Sequence, residues 1–296
     1  MKWLQGLRRK LRHVASLEAR LQRMQEALGR IERRQLLARP PGDWRGNEFR
    51  VYSQWGEDGL IQHLAAQVPI ARRVFVEFGV EDYAEANTRF LLVNDGWSGL
   101  VMDASEENIR RIRRNPISWQ HNLKSQQAFV TRENIDRLLA DQGLAGDIGL
   151  LSIDIDGNDY WVWEAITAVT PAIVVVEYNA RFGPDRAVSV PYDAGFERAK
   201  AHHSMIYYGA SLRALWLLGK RKGYALVGCN AAGNNAFFVR RDLLPAALAE
   251  RRPEEAFVPA GFREARDARG ELALLDRREE AEILHGLPLV DVEAPR

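Results

Sequence analysis

The sequence predicts an α/β protein, doubly wound around a mostly parallel sheet, and three observations point there. Four short apolar runs each end in an acid: Val74-Phe75-Val76-Glu77-Phe78-Gly79, Gly99-Leu100-Val101-Met102-Asp103, Leu150-Leu151-Ser152-Ile153-Asp154-Ile155-Asp156 and Ile173-Val174-Val175-Val176-Glu177. Runs so rich in Val, Ile and Leu suit strands buried on both faces. Helical periodicity fills the intervals between them, and alternating strand and helix gives a three-layer sandwich. The acids also fall at the carboxyl ends of the strands, where such sheets bind their ligands.

The elements follow in order. Leu4, Leu7, Leu11, Val14, Leu17, Leu21, Met24, Leu28 and Ile31 form a helical stripe close to a heptad seam. Residues 1–40 carry eleven Lys and Arg against three Glu, 11 − 3 = +8, so the rest of the +1 chain holds 1 − 8 = −7. Residues 1–38 thus read as a basic amphipathic arm, separable from the domain. It packs on the domain, pairs with a second copy or partner as a coiled coil, or lies on an anionic membrane face through Trp3. Arg39-Pro40-Pro41-Gly42-Asp43 stops the helix, because proline cannot continue it, and 39–46 reads as a linker.

The α/β domain is expected over 47–244. Ser53–Gln67 reads as a helix leading into the first strand, Glu85–Asn94 as the crossover after it, and Glu106–Asn115 as the helix after the second. Ala128-Phe129-Val130 is the expected third strand, with Thr131 capping a helix over Asn134–Ala140. A helix through Trp161–Ile166 joins the fourth strand to the fifth, and Ser211–Lys222 is another amphipathic helix. Residues 223–228 and 235–239 close the sheet as an antiparallel pair. The charged segment 245–296 is an extension and a candidate lid, with Arg263 or Arg266 of Phe262-Arg263-Glu264-Ala265-Arg266 reaching an anionic acceptor.

Composition narrows the function. With 46% hydrophobic and 27% charged residues, 296 residues can enclose a sizeable core. The single cysteine, Cys229, excludes an internal disulfide framework and a Cys-based zinc site. No apolar stretch reaches the roughly 18 residues that span a bilayer, and arginines interrupt any signal-peptide core. The expectation is a cytoplasmic protein, peripheral at the inner membrane face if the arm binds lipid. A basic arm on an acidic domain is not the pattern of a general nucleic-acid binder.

Gly79 after the first strand lets backbone approach a ligand, and Asp103, twenty-six residues beyond Glu77, is placed to chelate two ribose hydroxyls. No phosphate-binding loop of the Gly-x-x-x-x-Gly-Lys-Ser/Thr type occurs. On the acid-x-Gly turn, the Asp closing the second strand and Asp154-Ile155-Asp156-Gly157, the chain resembles the FkbM-type branch of the class I S-adenosylmethionine-dependent methyltransferases. The resemblance runs from Ser53-Gln54-Trp55-Gly56-Glu57-Asp58-Gly59 to Phe237-Phe238-Val239. It implies that Glu77 and Gly79 hold the methionine end of S-adenosylmethionine, Asp103 its ribose and Gln54 the entrance. Asn87 and Thr88 would donate to the cofactor carboxylate. The implied acceptor is a hydroxyl on a sugar of a cell-surface glycan or its lipid-linked precursor.

Asp154, Asp156, Glu177 and Asn179 form a second constellation, at the ends of two neighbouring strands. Hard oxygen ligands of this kind suit Mg²⁺, which would bind vicinal hydroxyls; acceptor binding without metal and simple helix capping are the other readings. Asp154, His203 and Tyr208 are the catalytic candidates, histidine being the side chain that titrates nearest neutrality. Two rivals remain: a glycosyltransferase holding a metal–diphosphate on Asp154-Ile155-Asp156, and a coiled-coil scaffold that binds a nucleoside without turnover. Ser152, where the resembled family often has lysine, favours the scaffold.

Overall fold

The computed structural model describes residues 2–39 and 43–293, with side chains continuous from Ala19 within the first helix. The linker prolines Pro40 and Pro41 lie outside the described residues. Along the chain run α1 (Lys2–Ala38), α2 (Glu57–Gln67), β1 (Val74–Phe78), α3 (Arg89–Asp95), β2 (Ser98–Asp103), α4 (Glu106–Arg114), α5 (Ile117–Gln120) and β3 (Leu123–Gln127). There follow α6 (Ile135–Asp141), β4 (Gly146–Ile153), α7 (Asp159–Ala165), β5 (Val169–Glu177), β6 (Val188–Ser189), α8 (Arg198–Ala201) and α9 (Leu212–Arg221). The chain closes with β7 (Tyr224–Cys229), β8 (Asn235–Arg240), α10 (Pro253–Ala256), α11 (Arg277–His285) and β9 (Val290–Asp291).

Seven strands form one sheet in the order β3-β2-β1-β4-β5-β8-β7, parallel except for β8, which runs against both neighbours. This is the expected doubly wound, mostly parallel sheet. Successive side chains of a strand point to opposite faces, and both faces are dry. Val76, Leu100, Met102, Leu151, Val174 and Phe238 pack under α6, α7 and α9, while Phe75, Val101, Leu150, Ile173, Val175 and Phe237 pack under α2, α3 and α4. The strand order reverses between β1 and β4, and the register sets Glu77 beside Val101 of β2 and Ser152 of β4. Glu177 stands opposite Asn235 of β8. Acids therefore collect at one end of the sheet.

Three expectations are corrected in detail. The third strand is Leu123–Gln127, not Ala128-Phe129-Val130. It is an edge strand paired only with β2, so its polar Lys124, Ser125 and Gln126 cost little, and the apolar tripeptide instead lines a cavity. The helix expected from Glu85 starts at Arg89, because Glu77 takes the backbone N–H groups of Asn87 and Thr88. Thr131 caps nothing with its hydroxyl; its backbone N–H donates to Asn134. Ser211, by contrast, caps α9 through the N–H of Ala214.

The ends of the chain are not loose appendages. Along α1, Gln25 donates to the carbonyl of Val51, Tyr52 donates to Glu26 at 2.6 Å, and Arg33 reaches Gln62 and Asp95. Leu36 is buried, and at Gly29 a Cβ would sit 2.4 Å from Val51, so only glycine allows that approach. The docked stretch from Gln22 to Leu36 makes the helix part of the domain rather than an arm hinged near residue 40. The extension beyond 245 is folded as well. β9 pairs with β6, and Ala265 and Leu284 join Phe182, Val190 and Ile206 in a satellite core. Among the described residues no helix is long and apolar enough to cross a membrane.

Candidate active site

The carboxyl ends of β1, β2, β4 and β5 open into a cavity of about 570 Å³, within the usual range for a small-molecule site. Its lining includes Gln54, Glu77, Gly79, Asn87, Asp103, Asp154, Asp156 and Glu177, eight residues singled out from the sequence. At the β1 end, Gly79 adopts φ +72°, and a Cβ there would lie 1.6 Å from the carbonyl oxygen of Asp154. The first two turns of the two sheet halves therefore touch backbone to backbone, which is the close approach a side chain would forbid.

Glu77 is 4% exposed and accepts from Asn87 N at 2.8 Å, Thr88 N at 3.1 Å and the Thr88 hydroxyl. Burial pushes its carboxyl up to about 7, against the pull of those donors. Asn87 and Thr88 thus hold Glu77, and the amide of Asn87 also reaches Ser152 at 3.1 Å. Thr88 is fully buried and off the cavity wall, so its expected role toward a cofactor carboxylate is not met by the geometry. Asp103 accepts from Glu81 N, Ser105 N and Asn108 Nδ2 at 2.8–3.0 Å, which fixes its carboxylate at the rim.

Asp154, Asp159 and Glu177 bring carboxylate oxygens within 4.8 Å of one another. Asp159 is spoken for: its oxygens accept from Ile155 N and Gly157 N at 2.9 Å, tying the turn after β4. Glu177, 7% exposed, keeps Oε2 without a hydrogen-bond partner. Burial first, and then the negative neighbours, hold Asp154 and Glu177 well above the ordinary carboxylate range. Two more buried acceptors on the cavity wall, Oδ1 of Asn158 and Oδ1 of Asn235, also lack partners.

Several sequence candidates sit elsewhere. Asn179 is fully buried with its amide on the carbonyls of Ile206 and Tyr208 and its oxygen on Arg181 N, so it holds a loop and offers no ligand atom. Asp156 points to Arg198 at 2.7 Å, with φ +55°, and leaves the Asp154-Ile155-Asp156 pair splayed. His203 is exposed, stacked 4.3 Å from the ring of His202, and absent from the cavity wall. Tyr208 is buried behind the wall, its hydroxyl donating to Glu264 at 3.2 Å. Burial raises its pKa well above the normal phenol, so the hydroxyl stays protonated and offers only a hydrogen bond.

The roof was not legible from the sequence. Trp55 stacks on Phe262, centroids 5.4 Å apart and planes 22° from parallel. Glu264 accepts from Arg181 at 2.8 Å and pairs with Arg198, whose guanidinium lies 3.9 Å over the Tyr208 ring. The segment expected to deliver an arginine delivers a carboxylate, and it is irregular rather than helical. Trp55 is held by Glu57, which accepts its N–H and two amides from Asn230 and Asn235. Asp58 Oδ2 gathers the N–H groups of Val51, Tyr52 and Ser53. The acid doublet Glu57-Asp58, just behind a loop bearing Gln54 and Trp55, was the available signal.

No family model matches the chain, and no curated protein does. Among solved structures, the N-terminal domain of EvdMO1 with S-adenosylhomocysteine bound is 13% identical, with a TM-score of 0.40, covering 71% of this chain and 94% of that one. The same domain in the presence of S-adenosylhomocysteine and D-fucose is 14% identical, with a TM-score of 0.41 and the same coverage. An O-methyltransferase from Bacillus cereus in complex with S-adenosylhomocysteine is 14% identical, with a TM-score of 0.39, covering 62% of this chain and 78% of that one. At such identities and scores, function has to be argued from the residues of the cavity itself.

Proposed function

We propose that this chain is an S-adenosylmethionine-dependent O-methyltransferase whose acceptor is a hydroxyl of a sugar, in a cell-surface glycan or its lipid-linked precursor. One observation carries the reading. The cavity joins a rim carboxylate, Asp103, to a wall that carries Asp154, Asn158, Glu177 and Asn235. Hydroxyl groups suit a wall of acids and amides, and an anionic acceptor would face Asp154, Glu177 and Glu264 with Arg198 already paired.

The residues fit the cofactor: Asp103 suits ribose hydroxyls, and Gly79, pressed against the Asp154 carbonyl, brings the turns after β1 and β4 together at the cavity. When bound, it supplies a methyl group on a sulfonium, which leaves as the new O–C bond forms and the C–S bond breaks. The chain's own part is to orient the acceptor hydroxyl in line and to receive its proton. Asp154 and Glu177 are placed for that, since a carboxylate raised above its ordinary range is a stronger base. Asn158 and Asn235 would fix neighbouring hydroxyls, and Trp55 with Phe262 would exclude water.

A second reading keeps the reaction and adds Mg²⁺. The unpartnered Glu177 Oε2 beside Asp154 fits a hard cation, which would lower the pKa of a bound hydroxyl. Asp156 and Asn179, engaged elsewhere, do not complete that set.

Calorimetric titration separates these from the rivals. S-adenosylhomocysteine should bind with or without Mg²⁺, and a nucleotide sugar should not. Tight nucleotide-sugar binding that requires the metal would replace the proposal with glycosyl transfer, and binding without methyl transfer to any polyol would favour a scaffold. Chelation by EDTA that leaves S-adenosylhomocysteine binding intact but abolishes turnover selects the metal version; full turnover in EDTA excludes it.

A further inference from the structure

The docked edge of α1 comprises Gln22, Gln25, Glu26, Gly29, Arg33 and Leu36. At about 100° per residue, the middle of that edge lies about 130° around the helix from a second set: Leu17, Leu21, Met24, Leu28 and Ile31. These are 43%, 63%, 61%, 61% and 45% exposed, a contiguous apolar line facing away from the domain. The stripe that the sequence offers for burial is the face the domain leaves uncovered. A polar and glycine edge makes the intramolecular contact instead.

We infer that this line seats the same line of a second copy, as a parallel two-stranded coiled coil. The spacing of 4, 3, 4 and 3 residues is the strict two-per-heptad seam of a coiled coil, narrower than the face of about 100° or more by which a helix lies on a core. The flanking residues fit a second copy in one direction. Arg20, Ala27 and Arg34 border one side of the seam, and Gln25 and Glu32 the other. In a parallel pair Arg20 faces Gln25 of the second copy and Ala27 faces Glu32, so no like charges meet.

The docked edge also favours association. A helix draws most of its stability from packing, because its nucleation is costly. Here the contacts of Tyr52, Val51 and Gln62 already hold the backbone of 22–36 helical, so pairing loses less conformational freedom. In sequence the stripe continues upstream through Val14, Leu11, Leu7 and Leu4, which lengthens the available seam. Glu32 beside the line sets it apart from an all-basic membrane helix.

Light scattering on the full chain at micromolar concentration should give the mass of a dimer, little changed by added salt because the seam is apolar. The double substitution Leu21→Glu with Leu28→Glu should give a monomer, with melting temperature and S-adenosylhomocysteine binding unchanged because neither side chain touches the domain. Direction is read with Ile31→Cys, because residue 31 faces 31 in a parallel pair and 17 in an antiparallel one. The only native cysteine, Cys229, is 1% exposed, so oxidation should link the two chains through residue 31 when they run parallel. A monomeric native chain, or a dimer that survives both glutamates, overturns the inference. So does a monomer that sediments with phosphatidylserine vesicles, and a dimer that Ile31→Cys fails to link overturns its parallel form.

Discussion

Replacing Asp103 with alanine should weaken S-adenosylhomocysteine binding by about a hundredfold or more. Two charge-assisted hydrogen bonds to ribose are lost, each worth about 1.5–3 kcal/mol, and about 1.4 kcal/mol is a factor of ten. The change also frees Glu81 N and Ser105 N from their acceptor, so part of any effect would come through a loosened rim. Asp103→Asn is the milder change: it keeps one acceptor oxygen, for either Glu81 N or Ser105 N, while removing the charge. Calorimetry on both variants, with thermal melting as the control for folding, checks the expectation. An unchanged dissociation constant in folded Asp103→Ala protein removes the ribose assignment.

Glu177→Gln should lower kcat by two to four orders of magnitude, roughly the worth of a positioned proton acceptor, while leaving S-adenosylhomocysteine affinity within a few-fold. The amide keeps the shape and loses the base. The pH profile makes the test specific. The competent form is the deprotonated one, so the rate rises with pH through the pKa of the Asp154–Glu177 pair. Burial and mutual repulsion hold that pair above its usual range, so the rising limb should stand well above the roughly 4 of a free carboxylate. In Glu177→Gln that limb should move toward lower pH, because Asp154 no longer faces a second negative charge. An unmoved limb would assign the proton to another group.

What the sequence made legible follows from where each element is buried. β1, β2, β4 and β5 are surrounded on both faces, so their composition has no freedom to be anything but apolar until the strand ends, and the closing acids stand out. β3 at the edge needs no such composition, and its apolar neighbour Ala128-Phe129-Val130 was read in its place. The floor of the cavity was visible for the same reason: Glu77, Asp103, Asp154 and Glu177 are fixed by strand register. Side chains that depend on loop conformation were not. Asn179, two residues beyond a strand acid, turned inward to hold the carbonyls of 206 and 208, and Asp159 rather than Asp156 came to lie beside Asp154. The helical stripe was read correctly as a stripe, but amphipathicity says which face is apolar, not which one the domain covers.

The stacked pair of Trp55 and Phe262 has a consequence for how the molecule comes into being. The strands of the sheet pair over separations of up to 150 − 75 = 75 residues, whereas the roof joins Trp55 to Phe262 across 262 − 55 = 207. Contacts of such separation carry the largest loop-closure cost and are rewarded last. A chain still being synthesised can hold the sheet, with Glu77 and Asp103 in register, before residue 262 exists. Pulsed hydrogen exchange during refolding should accordingly find the strand amides of β1, β4 and β5 protected before those around Trp55 and Phe262. The wall that bears Glu77 and Asp103 can thus form first, and the roof over it closes only when the segment around Phe262 is in place.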